Sequence, residues 1–133
     1  MNDKTIHIAT ARSRTQKVWR NTETTWAQLL DRLSEPTRTQ ETVAEFTKLP
    51  KTEQSSIKDV GGFVGGYLRN GHRNAQSVAS RDLLTLDADF AAPDLWETFL
   101  EVLPGVAGAI YSTHKHTPDK PRLRLLVPLS RSV

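Results

Sequence analysis

An α+β fold is predicted for this chain of 133 residues, on three observations. Two runs, residues 83–90 and 122–129, alternate side-chain character with the period of two that a strand requires. Two others, residues 24–33 and 93–103, repeat apolar residues at helical spacing. Proline and glycine punctuate the chain between these runs without any repeat, linker or low-complexity tract.

In chain order, residues 5–11 and 17–19 read as short strands joined by the basic link Arg12-Ser13-Arg14-Thr15-Gln16. Residues 24–33 read as a helix with Trp26, Leu29, Leu30 and Leu33 on one stripe. Thr25 followed three residues later by Gln28 has the spacing of a capping box, and Pro36 ends the continuation. A second amphipathic helix is predicted over residues 39–49, carrying Val43, Ala44 and Phe46, and a polar one over 51–59. Residues 62–68 form a glycine-punctuated strand, and Asn70-Gly71 is a turn dipeptide with Arg69 and Arg73 at its basic end. No Gly-Lys-Ser/Thr follows these glycines, so they are not a P-loop. Pro93 and Asp94 open a helix whose core face is Leu95, Trp96, Phe99, Leu100 and Leu103, closed by Pro104-Gly105. A buried strand over 106–113 and the polar loop 114–121 lead into the final strand at 122–129.

At 37% hydrophobic and 25% charged, the composition is that of one globular domain with a core. A net charge of +3 leans toward a nucleic-acid or nucleotide partner without establishing one. The absence of cysteine excludes disulfides, thiolate catalysis and cysteine zinc sites. No stretch has the length of a signal peptide's apolar core or of a bilayer span, so a soluble, cytoplasmic protein is expected.

Two constellations are chemically informative. Residues 83–90 read Leu-Leu-Thr-Leu-Asp-Ala-Asp-Phe, and on a strand Asp87 and Asp89 point one way while Leu84, Leu86, Ala88 and Phe90 point the other. Their Cα atoms would lie about 6.7 Å apart, where like charges repel by roughly 2.5 kcal/mol at an effective dielectric near 20. A divalent cation reverses that sign, and Mg²⁺ takes one or two carboxylates together with substrate phosphates. The competing reading is a strand that runs out into a solvated turn. In the last strand Leu123, Leu125, Val127 and Leu129 share one face, and Arg122 and Arg124 the other. Arginine forks suit phosphate oxygens; the alternative is two surface cations balancing the acids. His114 and His116, flanking Lys115 after Ser112 and Thr113, fit zinc, proton transfer or phosphate, or are solvated loop histidines. A two-histidine relaxase is disfavoured, because Tyr67 and Tyr111 both precede the pair.

These residues resemble a known family. Residues 84–89 and 111–124, with 59–68 before them, are similar to the start of phage- and plasmid-borne primases of the archaeo-eukaryotic primase superfamily. More narrowly, they resemble the N-terminal primase-polymerase region of prophage virulence-associated E-type replication proteins. The resemblance implies an RRM-like core sheet with flanking helices, residues 1–60 covering the sheet and 61–133 supplying the core and both motifs. It implies Mg²⁺- or Mn²⁺-dependent nucleotidyl transfer on a single-stranded DNA template, with nucleoside triphosphates as substrates and a bacterial cytoplasm as the setting. Asp87 and Asp89 match its acidic, metal-holding motif. Its phosphate-binding motif matches Ser112 and His114 by letters and Arg122 and Arg124 by position, with His116 beside them. The family's third acidic position would come later, no acid follows Asp119, and a helicase-type ATPase region follows in relatives. The resemblance therefore implies a partial domain. A metal-dependent nuclease using His114 or His116 as base, and a non-catalytic single-stranded DNA or nucleotide-binding module, are the alternatives.

Overall fold

Strand β1, Thr5–Ala11, lies between β2, Arg20–Thr25, and β3, Gly62–Val64, in an antiparallel sheet of order β2-β1-β3. This computed structural model describes residues 3–133, so Met1 and Asn2 of the predicted domain span lie outside the described residues. A two-stranded sheet pairs β4, Gly66–Leu68, with β5, Val78–Arg81. A third sheet has the order β6-β8-β7, formed by Leu83–Ala88, Leu123–Pro128 and Ala109–Ser112, all antiparallel. The helices are α1, Trp26–Leu33, α2, Val43–Thr47, α3, Lys51–Lys58, and α4, Leu95–Val102. The result is a mixed α/β architecture of several small antiparallel sheets.

The first and third sheets meet in one core. Ile6 and Ile8 of β1 pack with Trp26 and Leu29 of α1, Leu83 of β6 and Leu126 of β8. A second cluster joins Ala9, Trp19 and Leu68. Helix α1 begins where the capping box places it. The Gln28 N–H donates to Thr25 Oγ1 at 3.2 Å, and the Thr25 N–H donates to Gln28 Oε1 at 3.1 Å.

Several predicted elements differ. The strand expected at 17–19 lies further on, at Arg20–Thr25; Val18 makes only an isolated bridge to His72. The helix expected from residue 39 starts at Val43, because Thr42 caps it through its side chain. Buried Gln54 donates to the carbonyls of Leu49 and Thr47 and satisfies the far end of α2. The strand predicted over 62–68 breaks at Gly65, whose carbonyl accepts the N–H groups of Asp82 and Leu83, so its halves join different sheets. Strand β5 was not predicted. The aspartate strand ends at Ala88, which leaves Asp89 in the following turn.

The facing of the third sheet is also corrected. Register pairs Leu83, Thr85 and Asp87 with Pro128, Leu126 and Arg124, so these residues share a face. That face holds the fully buried Leu83 and Leu126, whereas Leu84 and Leu86 are 44% and 47% exposed. The face carrying Asp87 and Arg124 is thus the core face at one end and polar at the other. On α4 only Phe99 of the expected stripe is buried, with Trp96 stacked on it at 5.3 Å, while Leu100 and Leu103 are exposed. Among the described residues no helix is long and apolar enough to cross a membrane.

Candidate functional site

Asp87 and Arg124 are cross-strand partners on β6 and β8. Their antiparallel register brings the two side chains to the same point of the polar end of the sheet. Arg124 Nε donates to Asp87 Oδ1 at 2.5 Å and Nη2 to Oδ2 at 3.4 Å, a fork against a carboxylate. Tyr111, the register partner of Arg124 on β7, accepts from Arg124 Nη1 at 3.5 Å and lies under the guanidinium, 6.0 Å from its ring centre. The Asp87 hydrogen bond, and then the tyrosine hydroxyl, outweigh burial and push Arg124 further above its ordinary value, so it is charged throughout.

Arg122 lies just before β8, and its guanidinium stands 5.8 Å from the ring of Phe90, in the turn beside Asp89. A hydrogen bond from Ala91 N–H to Pro121 O joins the two segments. Phe90 is 92% exposed. The structure therefore brings Asp87, Arg124 and Tyr111 into contact and sets Arg122 beside the turn that holds Asp89.

The other predicted residues are placed as follows. Ser112 is the exposed last residue of β7, paired in register with Leu123. His116 Nδ1 accepts the Arg122 backbone N–H at 3.1 Å, which puts the proton of the neutral ring on Nε2. His114 packs edge-on against Phe46 of α2, ring centres 4.1 Å apart, with Lys115 Nζ 5.8 Å from the same ring. The histidine loop is thus tied at one end to Arg122 and at the other to α2.

Whether these donors suit a divalent cation follows from their partners. Both Asp87 oxygens are engaged by Arg124, and Asp89 is exposed in its turn. Among the described residues no cluster of three or more His, Cys, Asp or Glu side chains could hold a metal.

One polar constellation was missed. The buried Asp82, 2% exposed, accepts the His7 N–H at 2.7 Å, the His7 ring Nδ1 at 3.1 Å and the Ser132 hydroxyl at 2.5 Å. His7 Nε2 lies 3.3 Å from Glu23 Oε1. Burial pushes the Asp82 carboxyl up, but the His7 N–H, the Ser132 hydroxyl and the His7 ring together hold it below the usual carboxylate range. The partners lie 75 and 50 positions away, beyond any local pattern. The one available signal was Asp82 itself, an acid immediately before an apolar strand.

No curated protein and no solved structure matches this chain. The model of the VapE N-terminal domain matches residues 1–133. The chain thus belongs to the VapE N-terminal domain family, a phage-related, virulence-associated E type connected with replication.

Proposed function

We propose that the polar end of the β6-β8-β7 sheet is the nucleotide-binding half of a primase-polymerase site. The reaction class is nucleotidyl transfer: a 3′-hydroxyl attacks the α-phosphate of a nucleoside triphosphate on a single-stranded DNA template, and pyrophosphate leaves. The observation that supports this most is the register pairing of Asp87 with Arg124, beside Arg122 and the Asp89 turn. In the free protein Arg124 neutralises Asp87. An incoming triphosphate competes for that guanidinium, because its oxygens fit the same fork. Arg122 supplies a second cation, and the Ser112 hydroxyl and His114 or His116 further donors to the phosphates. Transfer of Arg124 to phosphate uncovers the Asp87 carboxylate next to Asp89. A divalent cation, Mg²⁺ or Mn²⁺, held by Asp87 and Asp89 would supply charge neutralisation at the reacting phosphates. In this reading the sheet is the RRM-like core that carries the primase-polymerase site.

A second reading, a non-catalytic nucleotide-binding module, is favoured by the absence of a third acid near Asp87 and Asp89 among the described residues. One set of assays decides. Fluorescent nucleoside triphosphate is titrated with Mg²⁺ present, and labelled nucleotide incorporation is followed on a single-stranded template. Binding is expected to weaken by roughly tenfold or more in Arg124→Ala, the loss of one charged hydrogen-bonding partner, and in the double variant Asp87→Asn with Asp89→Asn. Unchanged binding in both variants would remove the site. Binding with incorporation supports the polymerase, binding without it the module, and nicking of DNA without added nucleotide a metal-dependent nuclease.

A further inference from the structure

The positive charge of this protein is segregated. Residues 12–20 and 69–73 contain Arg12, Arg14, Lys17, Arg20, Arg69 and Arg73 and not one acid. Without those six, twelve cations face fifteen acids over the rest of the chain. The rest of the chain is thus net negative, and the positive balance of the protein resides in these two segments.

Tertiary structure fuses the two segments into one surface. The Trp19 N–H donates to Gly71 O at 2.8 Å, and Val18 bridges His72. One step along, the Asn21 amide donates to Leu68 O at 2.7 Å and accepts from Leu68 N–H at 2.9 Å. The Arg73 guanidinium covers the Trp19 ring at 5.1 Å and donates to Arg14 O at 3.4 Å. Gly71 has a φ of +72°, and a Cβ there would lie 2.4 Å from Trp19 O, so the close approach of the two loops requires glycine. All six cations are exposed, and among the described residues none is ion-paired. Asp59 is the acid set against them. Its carboxylate accepts from the Ser13 hydroxyl at 2.5 Å and the Arg14 N–H at 2.9 Å, which pins the basic loop, and of the six cations it attracts the charge of Arg14.

Among the described residues no ion pair joins these six cations to an acid, and Asp59 is the one acid whose attraction to them, through Arg14, the structure gives. An anionic polymer supplies countercharge to the others. We infer that the surface formed by residues 12–20 and 69–73 is a docking site for the sugar-phosphate backbone of a nucleic acid, separate from the Asp87–Arg124 site and independent of the function assigned there. Backbone contacts of this kind position a strand without reading its sequence, and the exposed Asn70 and Asn74 add neutral donors at the rim. A braced surface is favoured over a flexible basic tail here, because the backbone that carries the cations is already ordered when the polymer arrives.

The test is fluorescence anisotropy of the whole chain with a labelled single strand and a duplex of equal length, between about 50 and 200 mM salt. Two variants, Arg12→Gln/Arg14→Gln/Lys17→Gln and Arg69→Gln/Arg73→Gln, probe the two loops; circular dichroism confirms their fold. Affinity is expected to fall roughly tenfold or more in each. The slope of log K against log salt on the single strand should shrink by about 2 in the triple variant, roughly 0.7 for each phosphate no longer neutralised. Nucleoside triphosphate binding should be unchanged in both, whereas Arg124→Ala should weaken triphosphate and spare the polymer. Unchanged affinity and slope in both variants would overturn the inference. So would tighter binding to vesicles containing phosphatidylserine than to either nucleic acid.

Discussion

At the scale of single residues, the contact between Arg124 and Asp87 is short but wet. Their side chains are 37% and 56% exposed, and ion pairs in that setting contribute only about 0.2–1 kcal/mol to stability. The pair is therefore dispensable to the fold. A double-mutant cycle on Arg124→Ala and Asp87→Asn should give a coupling energy below about 1 kcal/mol in chemical denaturation. A coupling well above about 2 kcal/mol would make the pair a structural clasp. Each partner was legible in the sequence from strand alternation, since Asp87 and Arg124 follow the period of two along their own strands. Their pairing was not, because register is a property of two strands together. Nor was the Arg122–Phe90 contact, which depends on a turn folding back beside a strand it is not part of.

At the scale of elements, local chemistry was readable and long-range approach was not. The Thr25–Gln28 box is closed by atoms three residues apart, so spacing alone announces it. The break between β3 and β4 is set by Gly65 O accepting from Asp82 and Leu83, seventeen and eighteen positions away. Beside it, a Cβ on Gly66 would lie 2.0 Å from the carbonyl oxygen of Ser80 on the paired strand. These two elements rank differently in energy. Thr25→Ala should cost about 1 kcal/mol, one N-cap. Gly66→Ala must part β4 from β5 and should cost up to roughly 3 kcal/mol, the top of the usual range for overpacking. Urea denaturation of both variants tests the order, and a Gly66→Ala protein as stable as the parent would refute the close approach. The short β5, Val-Ala-Ser-Arg, has too weak an alternation to read as a strand by itself. Its partner β4 and the two hydrogen bonds between Arg81 and Val133 stabilise it.

At the scale of the whole molecule, Asp82 is the tie. It reaches β1 through His7 and the C-terminal segment through Ser132, and its own N–H bonds Gly65 O; Lys4 also donates to Leu129 O nearby. Because its carboxyl is held below the ordinary value of 3.8, the unfolded chain takes up the proton first as pH falls. The stability it contributes is thus fully present above that value and is lost as pH drops through the folded-state value. Asp82→Asn, which removes charge-assisted hydrogen bonds from a buried acceptor, should lower the unfolding free energy by about 2–3 kcal/mol near neutral pH. The gap to the parent protein should close below about pH 4. Equal denaturation midpoints for the two proteins at neutral pH would show that the carboxylate is not the tie.

What the amino-acid order determined by itself is what neighbours in sequence can settle. That comprises α1 with its cap, the existence of the outer strands, two acids at a strand end, two arginines at another, and stretches rich in cations. What tertiary structure decided is which of these meet. Three small sheets replace the longer strands expected, because single carbonyls and close-packed glycines redirect the chain at points no periodicity marks. The core took the Leu83 and Leu126 face in place of the Leu84 and Leu86 face, since burial follows the side that β1 and α1 cover. The same contacts laced two separate basic stretches into one surface, because backbone hydrogen bonds between distant loops are available only once both have been brought together.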